Sequence, residues 1–406
     1  MKHFGIKLSL FLVYFVFAAL LNSVGILVER SQEVYDVTKE AASFLEPFKD
    51  ISIAIVAFLV GSFLPRLGYK KAMLLSLAII FMGCLGMYYA NSFWAVKILF
   101  ACTGLSFAVA KVSVYALIGY VTDSKDGHSS LLSFVETVFM MGIIFMYLVF
   151  PLFYGDENDK DAWLRGYLLM AGVIAVAFII ISLSKFDIET ENKETSIAQD
   201  FRSMINLFVK PVVWVFALFA FFYVMTEQGI MTWLPTFNKE TLRLDPKLAA
   251  QIAVLLMVFI TVGRFLTGIF VKKINWLFLA IGGVVFAGII VLVVLPLAQD
   301  SGTETITKLS NIPLAGFLFP LIGLFLAPLY PLVSSRVLSS VPKESHSALA
   351  GILTFSSAVG GTFGSIIVGF LFDTMGGSRV FYLSLIPLTI LLVIFISLNK
   401  LTKQTV

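Results

Sequence analysis

Charge is scarce in this chain. Lys and Arg number 29 and Asp and Glu 25, together 13% of 406 residues, against roughly 25% in an ordinary soluble chain. A water-soluble fold of this length needs a charged exterior that these residues cannot supply. The formal net charge of +4 is too small to argue for a nucleic-acid partner. Cysteine is nearly absent: Cys84 and Cys102 both sit in apolar runs with no CxxC pair, which excludes a disulfide framework and a zinc site. Histidine is limited to His3, His128 and His346, all at the ends of apolar runs or in loops. No HExxH, GxSxG or P-loop string is present, and no apolar run holds a carboxylate–histidine set. The expectation is no enzyme, no cofactor, no metal centre and no direct use of ATP.

What the chain has in abundance is apolar length: 59% hydrophobic residues, 40 of them phenylalanine. Crossing the hydrocarbon core takes roughly 20 apolar residues. Such runs cover Leu8 to Val28, Pro47 to Leu64, Ala72 to Ala90, Trp94 to Val121, Ser129 to Tyr154 and Leu164 to Leu183. A second set covers Pro211 to Phe237, Ala249 to Val271, Trp276 to Leu297, Ile312 to Leu338, Ser347 to Phe372 and Val380 to Leu398. The first run follows Lys2 and Lys7 like a signal peptide, but it is long and lacks a small-x-small cleavage site, so it reads as a retained span. The polar stretch from Lys185 to Lys210, with KFDIETENKETS, falls near the midpoint. The reading is an all-α membrane protein of twelve transmembrane helices: a six-helix bundle over 1–184, a cytoplasmic linker over 185–210 and a second six-helix bundle over 211–406. Lys and Arg favour the loops on the side of the N-terminus, which places both termini in the cytoplasm and the chain in the inner (plasma) membrane. The acidic string DENDKD then lies in an outer loop and reads as a solvated loop before a cation site.

The chain repeats itself. GSFLPRLGYKK (Gly61 to Lys71) and GRFLTGIFVKK (Gly263 to Lys273) share Gly at the first place, Phe-Leu at the third and fourth and Lys-Lys at the end, about half the chain apart. Both follow the second span of their half, as expected of parallel six-helix repeats with a solute path between the halves near the midplane. The first string resembles the loop motif of the major facilitator superfamily, G-x-x-x-D-R-x-G-R-K, through Gly61, Arg66, Gly68 and Lys70. Pro65 stands at the family's Asp and Tyr69 at its second Arg, so the usual charge relay at the inner gate lacks its acid. TEQGIMTWLPTF (Thr226 to Phe237), VGRFLTG and PLYPLVSSR (Pro328 to Arg336) resemble the fucose-permease branch. The resemblance implies two pseudo-symmetric bundles in one chain, a monomer in the lipid bilayer, and alternating access for a small-molecule substrate with protons as a coupling ion. Two departures count. The drug-antiporter string of the fifth span is missing from SFVETVFMMGIIFMYLVFP. Where the fucose branch implies carboxylates in the first and fourth spans, this chain has Asn22 with Ser23, and Lys111.

A charge at the bilayer centre costs about 2.5–3.5 kcal/mol on insertion scales, so intramembrane charges mark protein-facing or wet surfaces. Lys111 lies in the fourth span, Glu136 in the fifth, Glu227 in the seventh and Arg264 in the eighth, while the cores of the third, sixth, ninth and twelfth carry none. Lys111 is roughly 15 Å and Glu136 roughly 10 Å from the inner end of adjacent helices. They are candidates to bind a polar or anionic solute group and to carry a proton, or to form a static ion pair. Glu46, Lys49 and Asp50 sit at the outer end of the second span. Glu46 and Lys49 have i, i+3 spacing and pair locally, or Lys49 reaches Glu227 as an outer gate. Arg66 and Arg264 are candidates at the inner gate, with snorkelling or a loop contact the structural alternative for Arg264. Asn22, Gln228, Tyr330 and Ser335 are candidate solute contacts, equally readable as helix-packing hydrogen bonds. Gly360 and Gly364 allow close helix contact, and Pro328 and Pro331 predict a softened tenth span. The function read from these residues is a secondary transporter of a sugar-, carboxylate- or amino-acid-sized solute. An efflux carrier and a non-transporting sensor of the same fold are the alternatives, and direction and coupling ion stay open.

Overall fold

The computed structural model describes residues 3–21, 34–37, 45–153, 159, 161–186, 196–298 and 304–404. Among them are twelve helices long and apolar enough to cross a membrane. In the first half these are α1 (Phe4–Leu21), α2 (Leu45–Leu67), α3 (Tyr69–Ala90), α4 (Phe93–Tyr120), α5 (Lys125–Val149) and α6 (Arg165–Leu183). A short helix, α7 (Ile197–Asn206), follows in the linker. The second half holds α8 (Pro211–Glu240), α9 (Pro246–Phe270), α10 (Trp276–Ala298), α11 (Leu314–Leu338), α12 (His346–Met375) and α13 (Leu385–Gln404).

Local sequence sets the ends of these helices. Ser92 caps α4 by accepting the Ala95 amide at 3.2 Å, and Asn91 before it ends α3 in the left-handed region. Gly68, at φ 81°, makes the turn between α2 and α3 that the repeated motif requires of a residue without Cβ. Asp245 accepts the Lys247 amide at 2.9 Å and opens α9, with Pro246 at its first position. α11 is interrupted at the expected Pro328, between the helical stretches Ile322–Leu326 and Leu329–Leu338, and again by a tighter turn at Phe319–Leu321 after Leu314–Leu318, whereas Pro331 lies inside a continuous stretch. Pro320 and Pro328 each lack the amide that would continue the ladder. Most spans show no polar stripe, and α10 carries no charged residue at all. Met82, Trp94, Leu148, Phe278 and Phe370 are exposed, as expected of helices whose outer solvent is lipid. Cys84 and Cys102 are free thiols, the first buried.

The described residues form two compact units. One comprises Met1–Asp123, Val138–Val209 and Val341–Phe355; the other Ser124–Thr137, Lys210–Ser340 and Ser356–Val406. They follow the two halves of the chain except for an exchange: the starting portions of α5 and α12 each belong to the other half's unit. Matched contacts carry the exchange. In the first unit, the Ser347 hydroxyl of α12 donates to the Gly61 carbonyl of α2 at 2.7 Å, and a Cβ on Gly61 would lie 3.1 Å from the Gly351 Cα. In the second, the Ser130 hydroxyl of α5 donates to the Gly268 carbonyl of α9, also at 2.7 Å. The same kind of serine-to-glycine contact therefore occurs on the second helix of each half, five places apart in the sequence repeat, where Gly61 aligns with Gly263 and Gly268 with Arg66. Further along α12, Gly360 and Gly364 lie against the backbone of Phe221 and Met225 in α8, where no side chain would fit.

Candidate functional site

Tyr223 and Glu227 are four residues apart on α8 and so share a face. Arg264 of α9 and Glu136 of α5 meet them within the second unit. The Arg264 guanidinium donates through Nη1 to Glu136 Oε2 at 3.0 Å and through Nη2 to Glu227 Oε1 at 3.1 Å. The Tyr223 hydroxyl donates to the same Glu227 oxygen at 2.7 Å. The planar fork of arginine suits this role, because two of its donors can serve two carboxylates at once. The Arg264 and Glu136 side chains are each 5% exposed and that of Glu227 16%, so Glu227 is the least buried of the three. A buried charge is what low-dielectric surroundings penalise most, and the guanidinium between the two carboxylates offsets part of that cost. Tyr223 is also packed from both sides, its ring centroid 5.7 Å from Phe219 and 5.5 Å from Tyr330. The Tyr330 hydroxyl lies 3.1 Å from Ser357 Oγ of α12. Polar contacts thus join α5, α9 and α8, and the Tyr223–Tyr330 ring contact connects them to the polar pair of α11 and α12.

Arg264 neither snorkels nor pairs with a loop: it is buried, and it gives Glu136 an ion-pair partner that spacing along the sequence did not suggest. The physical reason is the helix exchange, which carries the Glu136 portion of α5 into the unit of α8 and α9. Tyr223, Ser357 and Asp200 escaped the sequence reading. The i, i+4 spacing of Tyr223 to Glu227 was the available signal for the first.

In the first unit, Lys111 lies on α4 with its ammonium 5.7 Å from the Phe107 ring and 5.8 Å from that of Tyr115, the residues four before and four after it. Tyr14 of α1 and Phe139 of α5 extend this aromatic wall, 5.4 Å apart. Lys49 is buried, 3.4 Å from the Leu21 carbonyl and 3.4 Å from Asp50. Arg66 pairs with Asp200 of α7, and Lys70 donates to the Ser182 and Ser184 carbonyls at 2.8 and 2.7 Å, closing the end of α6. In the second unit, Gln228 faces Thr232 at 3.4 Å, and His128 Nδ1 and the Ser129 hydroxyl each lie 2.8 Å from Ser335 Oγ. Asn22 and the side chain of Glu46 lie outside the described residues.

The family model of the Major Facilitator Superfamily matches residues 6–319. The chain belongs to this superfamily. Among solved structures it is similar to the E. coli fucose:proton symporter FucP, with TM-score 0.80, 16% identity and 99% of each chain covered. It is also similar to the proton:xylose symporter XylE, with TM-score 0.77, 14% identity and 97% and 94% covered. At these identities the likeness establishes the fold. Among curated proteins, the Protein TsgA homolog of Buchnera aphidicola subsp. Acyrthosiphon pisum is 22% identical over 249 residues. That match spans about 60% of this chain and 60% of the relative's length. The superfamily and these structural neighbours are transporters, not enzymes, and the chain is a multi-pass membrane protein of the major facilitator fold.

Proposed function

We propose that this superfamily member is a proton-coupled secondary transporter of a small polar solute, of sugar, carboxylate or amino-acid size. It lies in the inner membrane with both termini in the cytoplasm and works by alternating access. The observation that carries the reading is the buried cluster of one guanidinium and two carboxylates. Buried ionisable side chains on membrane-spanning helices mark solute paths and proton relays, and the membrane potential supplies about 2.3 kcal/mol per charge at 100 mV for a coupled step. Lys111 and its aromatic wall give the first unit a polar anchor beside flat apolar surface, suited to a compact polar solute over a bulky apolar one. The symporters of fucose and xylose among its structural neighbours agree in solute size and in coupling ion.

The test begins with a thermal-shift screen of small solutes on the purified protein, followed by counterflow and pH-gradient-driven uptake in proteoliposomes with any hit. Glu227→Gln and Glu136→Gln are expected to retain counterflow and to lose accumulation against a gradient. Wild-type accumulation in both variants, at matched protein density, rules out the cluster as the coupling site.

A further inference from the structure

The linker between the two halves is not a bare tether. α7 opens with a capping box, in which the Ser196 hydroxyl accepts the Gln199 amide at 3.2 Å and the Gln199 side chain accepts the Ser196 amide at 2.7 Å. It lays one face on α2: Phe201 meets Phe58 edge-on with ring centroids 5.9 Å apart, Met204 is buried, and Asp200 pairs with Arg66. The opposite face, with Ala198, Arg202 and Ser203, is exposed. Pro65 stands directly before Arg66 in the turn that ends α2 and cannot serve as an acid there, so the carboxylate on Arg66 comes from the linker.

The same surface of α2 holds the starting portion of α12. Phe58 contacts Phe355 at 5.4 Å as well as Phe201, and one turn further along Gly61 receives Ser347 and abuts Gly351. α7 and α12 therefore share Phe58 between them. Any movement of α12 away from α2 removes one wall of the Phe58 site, and any release of α7 removes the other. We infer that α7 is a clamp on the α2–α12 contact, and that Asp200, through Arg66, is a positioning residue that sets how often this contact opens. The inference rests on the transporter reading, in which such opening is the inner gate. Its mechanics need only the contacts within the first unit. The Asp200 and Arg66 side chains are 13% and 28% exposed, so the pair is partly hydrated and its loss shifts the open population by about threefold, the scale such pairs support.

The experiment uses the full chain with Cys84 and Cys102 replaced by alanine and one reporter, Ala350→Cys, on the buried face of α12. Maleimide labelling in proteoliposomes is timed with and without Asp200→Asn, and Ala287→Cys in the core of α10 monitors general unfolding. Faster labelling at position 350 by about threefold, with position 287 still protected, supports the clamp. Restoration of slow labelling by the charge swap Arg66→Asp with Asp200→Arg supports it further. Phe201→Ala removes the same clamp by its apolar contact and should act in the same direction. Unchanged labelling in Asp200→Asn and Phe201→Ala overturns the inference, as does equal acceleration at 350 and 287. Labelling requires no solute, so a chain that labels as expected yet moves nothing would sink the transporter reading and leave the clamp standing.

Discussion

Replacing Arg264 by methionine removes the cation that lies between two carboxylates. Glu136, 5% exposed, loses a donor at 3.0 Å, and Glu227, 16% exposed, loses one at 3.1 Å while keeping the Tyr223 hydroxyl at 2.7 Å. Stripping one partner from a buried ion pair costs about 3–5 kcal/mol, chiefly because the remaining charge has no compensation. Glu136 has the poorer access to water and accounts for the larger share. If that is the origin of the loss, neutralising the stranded groups must recover it. Replacing a whole buried ionic cluster by neutral residues of similar size is often neutral, so Arg264→Met with Glu136→Gln and Glu227→Gln should return to within about 1–2 kcal/mol of wild type. Denaturation in detergent micelles, followed by tryptophan fluorescence, measures both variants. The triple variant should nonetheless fail to accumulate solute against a proton gradient. A single variant as stable as wild type, or a triple variant no better than the single, refutes the account of Arg264 as the buried charge partner of Glu136 and Glu227.

Other expectations follow from packing and polarity. Gly351→Leu should destabilise by about 1–3 kcal/mol through overpacking, since even a Cβ there would lie 2.6 Å from the Ala57 carbonyl. Gly86→Ala in α3, with nothing within 4 Å of the added carbon, should instead stabilise by the roughly 0.5–1 kcal/mol that glycine costs inside a helix, seen as a small rise in melting temperature. Ser130→Ala and Ser347→Ala should each cost about 1 kcal/mol, the net value of one hydrogen bond, and similar losses in thermal shift would confirm that the two contacts are equivalent. Lys111→Met should lower solute affinity in counterflow, whereas Lys111→Arg, which keeps charge beside Phe107 and Tyr115, should retain part of it.

The fold was legible because the bilayer imposes simple rules. Runs such as Trp276 to Leu297 are apolar on every side over the length of a membrane, and no other solvent accommodates them. The repeat between Gly61 and Gly263 likewise pointed to a chain built twice. Intramembrane charges could be found by the same rule, which is why Glu136, Glu227 and Arg264 were all singled out. Their grouping could not be, because they lie on three helices far apart in sequence, and helical spacing relates only residues on one helix. The exchange that brings the Glu136 portion of α5 beside α8 and α9 depends on the close approach of Phe134 at Gly268 and on the Ser130 hydroxyl that reaches the Gly268 carbonyl. Arg66 shows the same limit: its sequence neighbour is proline, and its carboxylate arrives from a linker more than a hundred residues away. Apolar length and periodicity are properties of a local segment and decide which helices exist. Partners of buried charges are chosen by the cost of leaving a charge uncompensated in a dry interior, and only the packed helices determine which opposite charge is within reach.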